Sequence, residues 1–284
     1  MAEIVFVKTG HHYDSYTDFF RLAELSGFPI IPVSEVDISQ HKIFILAPHT
    51  GGIQPDQGEW NPHINNQNHK ERNAHLILWC LERPSGSKGS VGEYGEANRG
   101  LLYNRYFDEV WVSDSKLADE THLRHVVLGS DYDLGEPSNN KMYDFVHMSA
   151  IVPRRDTIYS RLGYDRLGPN CWPPDRDKVL KQSKFALNIH QDNHPFQEPL
   201  RFALFAAYGL PIISETLIEA YPFSGEFMIF AGYDTIVKRA NDVLKSDYSQ
   251  WHGMGERARK RMCEEFQFGK MVRQAVWEST EKWR

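Results

Sequence analysis

Residues 184–215 read KFALNIHQDNHPFQEPLRFALFAAYGLPIISE, and the fold turns on this stretch. The apolar run 185–189 has the length of a strand, a polar loop follows over 190–197, and an amphipathic run opens at Glu198. Pro199 suits the first helical position, where its missing N–H is not needed. The Glu198 carboxylate would face the positive end of that helix. Gly209 and Pro211 stop the helix, and Ile212 and Ile213 begin another strand. Strand, polar loop, helix, strand predicts a parallel sheet with a polar loop and a helix N-terminus at its carboxyl edge. That edge is where α/β folds take anionic ligands.

Outward from this unit the alternation continues. Upstream, the spacing predicts strands over 4–8, 28–33, 42–47, 75–81, 108–112 and 125–128, with a helix over 16–25 after the polar turn TGHHYDS. Such alternation implies mostly parallel sheets covered on both faces. Two connections, 48–73 and 84–100, are rich in Gly, Pro, Ser, Asn and His and show no periodicity, which suits a binding face better than packing. Residues 130–141 (SDYDLGEPSNNK) are polar and turn-forming, and the domain boundary is expected there. The pattern then restarts with a strand over 143–151, a turn over 153–156 and helices over 157–162 and 177–183. After the central stretch come a strand over 227–230 and helices over 233–245, 249–266 and 268–284. The expected division is residues 1–135, residues 141–267 and a final helix, 268–284, packed on the first domain.

The 284 residues suffice for two domains of modest size. A net charge of −6 argues against holding nucleic acid by bulk charge, so affinity for phosphate has to be local. Three widely spaced cysteines, Cys80, Cys171 and Cys263, suggest neither a disulfide framework nor a CxxC metal site. With no signal peptide and no apolar run of membrane length, a soluble cytoplasmic protein is expected.

Several side chains stand where chemistry would be carried. Arg154 and Arg155, after a strand and before a helix, suit a diphosphate because guanidinium is a planar fork of donors that stays charged; a solvated basic turn is the plainer alternative. His190, Gln191 and Asp192 open the polar loop and offer groups that hydrogen-bond hydroxyls or phosphates. A metal is disfavoured there, since His190 and His194 have no third ligand fixed by spacing. Glu198 and Arg201, one helical turn apart, either pair with each other or hold a ribose and a phosphate. His11 and His12 follow the first strand, where imidazole can act as base or donor, and Glu82 ends another strand. The basic run at Arg257, Arg259, Lys260 and Arg261 reads as a solvated helix face.

Together, YDFVHMSAIVPRR (residues 143–155), NIHQDN and EPLRFALFAAYGLPIISE resemble the carboxyl-terminal half of GT-B glycosyltransferases, most of all the retaining, glycosyltransferase-family-4-like branch. The likeness covers about residues 143–270; the amino-terminal half matches in element order only. It implies two Rossmann-like domains facing a cleft, with the acceptor on the first, the nucleotide sugar on the second, and the last helix crossing back to the first. It also implies a metal-independent, hexosyltransferase-like enzyme that needs no cofactor and uses a nucleotide-diphosphate sugar as donor. By the same resemblance Arg154 and Arg155 lie at the diphosphate, His190 to Asp192 near sugar or phosphates, and Ser214 and Glu215 face the cleft. His11 or His12 orients sugar or acceptor. The sequence departs from the family at its two glutamates: Leu204 and Phe196 hold their positions, leaving Glu198 as the nearby carboxylate. Two alternatives stay open. One is a nucleotide-sugar-binding module that has lost catalysis, and the other is a viral-type glycosyltransferase whose acceptor is a modified DNA base.

Overall fold

A computed structural model describes residues 2–8, 17–46, 64, 67–81, 107–149, 151–169, 175–190, 198–217 and 227–281. The chain divides into two compact units, Met1–Val127 with Met271–Arg284, and Leu128–Lys270. Residues 128–141 therefore go with the second unit.

In the first unit, strands β1 (Glu3–Lys8), β2 (Ile30–Pro32), β3 (Lys42–Leu46), β4 (His75–Cys80), β5 (Glu109–Val112) and β6 (Arg124–His125) form one sheet in the order β2-β1-β3-β4-β5-β6. Every pairing is parallel. Both faces are buried, which is why the central strand reads HLILWC without alternation. On one face Val5, Val7, Phe44, Leu46, Leu76 and Leu78 join a single core with Leu117 of helix α2 (Ser115–Thr121). On the other, Phe6, Phe19 of helix α1 (Thr17–Leu25), Trp79 and Trp111 form an edge-to-face series with ring centres 5.4–5.5 Å apart. The Trp79 indole donates to Ser113 Oγ at 2.8 Å, so the buried ring leaves no polar group unmet. Asp114 caps α2 by accepting from the Leu117 N–H. His11, His12 and Glu82 lie outside the described residues, as does most of the two long connections.

The second unit holds β7 (Tyr143–His147), β8 (Ser183–Asn188), β9 (Ile212–Glu215) and β10 (Met228–Ala231), all parallel, in the order β10-β9-β8-β7. Around it stand helices α3 (Pro153–Leu162), α4 (Arg176–Lys181), α5 (Pro199–Ala207), α6 (Ile236–Lys245) and α7 (Tyr248–Lys260). Phe145, Phe185, Leu187 and Ile213 pack with Ile158, Tyr159 and Ile236 into one core. Phe202, Leu204 and Phe205 of α5 are wholly buried. Gly209 closes α5 with φ of +62°, the left-handed turn for which glycine is suited.

Four expectations are corrected. The strand expected over 143–151 ends at His147, and the turn expected over 153–156 is the first turn of α3: Val152 is extended and Pro153 starts the helix. Arg154 and Arg155 are thus helical. The helix expected over 249–266 ends at Lys260 and passes into a π-turn, Arg261–Glu265, which buries Met262 and Cys263. The strand expected over 125–128 shrinks to β6.

Helix α8 (Phe268–Glu281) contributes most of its length to the first unit. Val272 and Val276 are fully buried, Arg273 donates to the Ser26 carbonyl at 2.7 Å, and Ser279 Oγ to Glu109 at 2.7 Å. Among the described residues no helix is long and apolar enough to cross a membrane.

Within the second unit, residues 129–131 lie against 266–268. The Ser130 N–H reaches the Phe266 carbonyl at 3.2 Å, the Phe268 N–H returns to Ser130 O at 2.9 Å, and Gln267 bonds Asp131. A Cβ on Gly129 would lie 1.4 Å from the Phe266 carbonyl oxygen, a backbone atom that cannot swing aside. Gly129→Ala is expected to destabilise this unit by about 2 kcal/mol, read as a lowered urea midpoint with an unchanged denaturant slope.

Candidate functional site

The polar side chains of the second unit gather at the carboxyl edge of its sheet, where β7 ends at His147, β8 at Asn188 and β9 at Glu215. Helices α3 and α5 begin at the same edge. Each opens with Pro at its first position, and neither Val152 nor Glu198 supplies a side-chain cap. The first-turn N–H groups of both helices therefore receive nothing from their capping side chains, and each terminus keeps its partial positive charge.

Arg154, in the first turn of α3, is held on three sides. Its two terminal nitrogens grip Glu215 at 2.5 and 2.7 Å, one of them also donates to the His190 carbonyl at 2.9 Å, and its plane lies 4.0 Å from the Tyr233 ring centre. Tyr233 in turn donates its hydroxyl to the Arg154 carbonyl. Glu215 also accepts the His190 N–H at 2.7 Å, so one buried carboxylate ties the end of β9 to α3 and to the chain leaving β8. Arg155 is 3 % exposed; its Nε donates to the Ile189 carbonyl at 2.8 Å, and its Nη2 stands 3.6 Å from Glu198.

Glu198 does not point at the helix end as the sequence suggested. It pairs sideways with Arg201 and faces Arg155, because two guanidiniums outweigh a half-charge. Arg201 also donates to Asn188 Oδ1 at 2.8 Å; Asn188 donates to Ser214 Oγ at 3.0 Å, and Ser214 to the Glu215 carbonyl. Asn188 and Ser214 are register partners on adjacent strands, which sets their side chains together. Among the described residues three arginines and two glutamates meet here, beside two helix ends to which the N-cap side chains give no bond.

Two imidazoles complete the edge. His147 is stacked on Tyr159 with centres 4.2 Å apart, and burial, helped by Arg201 and Arg155, pushes it down to about 4. His190 is also lowered, chiefly by burial, against the opposing pull of Glu215 and of a backbone hydrogen bond at Thr216. Both rings are neutral at physiological pH. Tyr159 shares a 3.0 Å hydrogen bond with Ser149, and burial raises its phenol.

Of the residues singled out in the sequence, Arg154, Arg155, His190, Glu198, Arg201, Ser214 and Glu215 meet at this edge. Gln191 and Asp192 lie outside the described residues with His11 and His12. Sequence reasoning missed His147, Asn188, Tyr159 and Tyr233. The available signal was a polar residue closing an apolar strand, as in YDFVH and KFALN. Among the described residues no cluster of three or more His, Cys, Asp or Glu is arranged to hold a metal ion.

No family model matches the sequence, and no curated protein matches it. Solved structures match the fold. HepE from Anabaena, in complex with UDP and glucose, superposes with a TM-score of 0.66 at 11 % identity over 97 % of this chain and 99 % of its own. WaaG, a glycosyltransferase involved in lipopolysaccharide biosynthesis, gives 0.60 at 8 % identity over 96 % and 98 %. TarM gives 0.60 at 12 % identity over 91 % of this chain, which spans 57 % of TarM. The chain has the α/β architecture of the GT-B glycosyltransferases.

Proposed function

We propose that the protein is a glycosyltransferase that moves a sugar from a nucleotide-diphosphate sugar to an acceptor hydroxyl, without a metal or cofactor. The observation that carries this reading is the meeting of three guanidiniums with the N-termini of two helices at one sheet edge. The fold is shared with HepE, whose structure holds UDP and glucose. A diphosphate is the anion this edge suits: its charges spread over several oxygens, and guanidinium forks and backbone N–H groups are donors fixed in place.

In this reading the diphosphate displaces the Glu198 carboxylate from Arg201 and Arg155, and Glu198 turns to the donor's hydroxyls. Glu215 keeps Arg154 in its plane throughout. As the bond from the anomeric carbon to the diphosphate oxygen breaks, negative charge grows on the leaving group, and Arg154, Arg201 and the helix N–H groups are already aimed at it. The acceptor oxygen forms the new bond, and its proton passes to the departing diphosphate oxygen. A cytoplasmic location is the expectation from the sequence; retention of configuration, an acceptor on the first domain and an orienting role for His11 or His12 rest on the resemblance described above. So do contributions from Gln191 and Asp192, and a modified DNA base is one acceptor to include in assays.

Calorimetry against UDP, GDP and ADP tests the proposal. Binding of at least one is expected, and its loss in Arg201→Met; heat-silent titrations with all three would sink the reading. One observation favours a second reading, a module that binds the donor without transferring it: Leu204, at the family's glutamate position, is fully buried in α5. Binding without turnover of any nucleotide sugar would select that reading.

A further inference from the structure

Asn188 and Ser214 are wholly buried, and the hydrogen bonds that join them to Arg201 have a fixed direction. Guanidinium carries donors alone, so the Asn188 atom 2.8 Å from Arg201 has to be the carbonyl oxygen. The amide nitrogen is thereby turned to Ser214 Oγ at 3.0 Å, and Ser214, accepting there, gives its hydrogen to the Glu215 carbonyl at 2.7 Å. Flipping the amide would set its NH2 against the guanidinium donors. One end of this chain is the backbone of β9, a strand paired on both sides. The other is a first-turn guanidinium whose side chain is 14 % exposed.

What the chain does for Arg201 follows from the difference between an amide and a carboxylate. A cation that meets a diphosphate needs its fork held in plane and its charge left uncancelled. A carboxylate meets the first need and defeats the second, as Glu198 does at the same nitrogen. An amide oxygen accepts with a partial charge only, so it holds the plane and leaves the charge to the ligand. Shape does not explain asparagine at this position: aspartate has the same outline, and the Ser214 hydroxyl could donate to it. Placement adds rigidity. Asn188 ends an inner strand and is locked by its register partner, so it holds its neighbour more tightly than a loop residue could.

We propose that Asn188 and Ser214 are positioning residues, a neutral buried relay that aims Arg201 at the donor's diphosphate while leaving its charge for the departing group. This rests on the nucleotide-sugar reading of the site. Neither residue touches the donor; both act through Arg201.

Calorimetry with whichever of UDP, GDP and ADP binds tests the relay through two substitutions. Asn188→Asp keeps the outline and sets a second carboxylate on Arg201. The nucleotide is expected to bind about tenfold more weakly to it, with an unchanged urea midpoint. Asn188→Leu removes the acceptor and is expected to weaken binding roughly five- to tenfold. In the Arg201→Lys background the same leucine change should cost less than about twofold, because an ammonium has no plane to hold. An equal loss in both backgrounds marks a merely structural role and overturns the proposal, as does unchanged affinity in Asn188→Asp. Should Asn188→Leu fail to fold, Ser214→Ala takes its place in the two backgrounds and the same outcomes decide. Should no nucleotide bind, the donor reading fails by itself. Inorganic pyrophosphate is then the probe: binding that Asn188→Asp weakens supports the relay, and equal binding, or none, refutes it.

Discussion

Glu215→Ala is expected to destabilise the second unit by about 3–5 kcal/mol, the usual cost of removing one partner from a buried ion pair. Glu215 is 5 % exposed and holds three groups at once: both terminal nitrogens of Arg154 and the His190 N–H. Alanine leaves a guanidinium whose side chain is only 18 % exposed without its carboxylate, together with an unmet backbone donor. Among the described residues the His190 carbonyl and the face of Tyr233 remain to Arg154, and neither carries a full negative charge. Urea unfolding at neutral pH measures the loss. Pairing Glu215→Leu with Arg154→Met should restore most of the stability, because the penalty comes from an uncompensated charge and not from the absence of the pair. A single-variant loss below 1 kcal/mol would place the pair in the class of surface salt bridges and remove Glu215 as the anchor of the site.

That anchor also marks where sequence reading stops. The β8–α5–β9 unit was legible because its signals are local: Pro199 at the helix start, Gly209 in the left-handed turn, strands bounded by polar residues. What joins the site is not local. Arg154 and Glu215 are 61 residues apart, and nothing in either neighbourhood names the other. The arginines were read as free for a ligand, whereas the folded chain spends them first on its own carboxylates. The Pro-Arg-Arg run looked like a turn because Pro opens turns and helices alike; only the packing of Ile158 and Tyr159 into the core decides for the helix. His147 was hidden by an expected strand that ran four residues too far. The polar stretch 130–141 looked like a linker, but Asp131 caps a turn, Leu134 is fully buried, and Arg259 donates to the carbonyls of Ala207 and Gly135.

For transfer itself, Arg201→Met is expected to have the largest effect, a fall of about 10²–10³ in kcat, the range for losing one preorganised donor to a developing anion. Arg201 qualifies on three counts. It stands in the first turn of α5, its side chain is 14 % exposed and so within reach of a ligand, and Asn188 fixes its plane through a bond independent of Glu198. Methionine keeps the length and apolar stem of the side chain and removes the charge, so packing against the helix is largely spared. Arg201→Lys should recover charge without the fork and restore only part of the rate. Glu198 supplies the opposing control. Glu198→Gln removes the carboxylate that competes with the diphosphate, so UDP is expected to bind as tightly as in the wild type or tighter, while transfer falls if Glu198 must hold the donor's hydroxyls. The pair therefore separates two roles by sign: losing Arg201 weakens the anion's hold, and losing Glu198 does not. A rise in KM with kcat unchanged in Arg201→Met would mean that this guanidinium binds donor and transition state equally, and charge stabilisation would then fall to Arg154 and the helix ends.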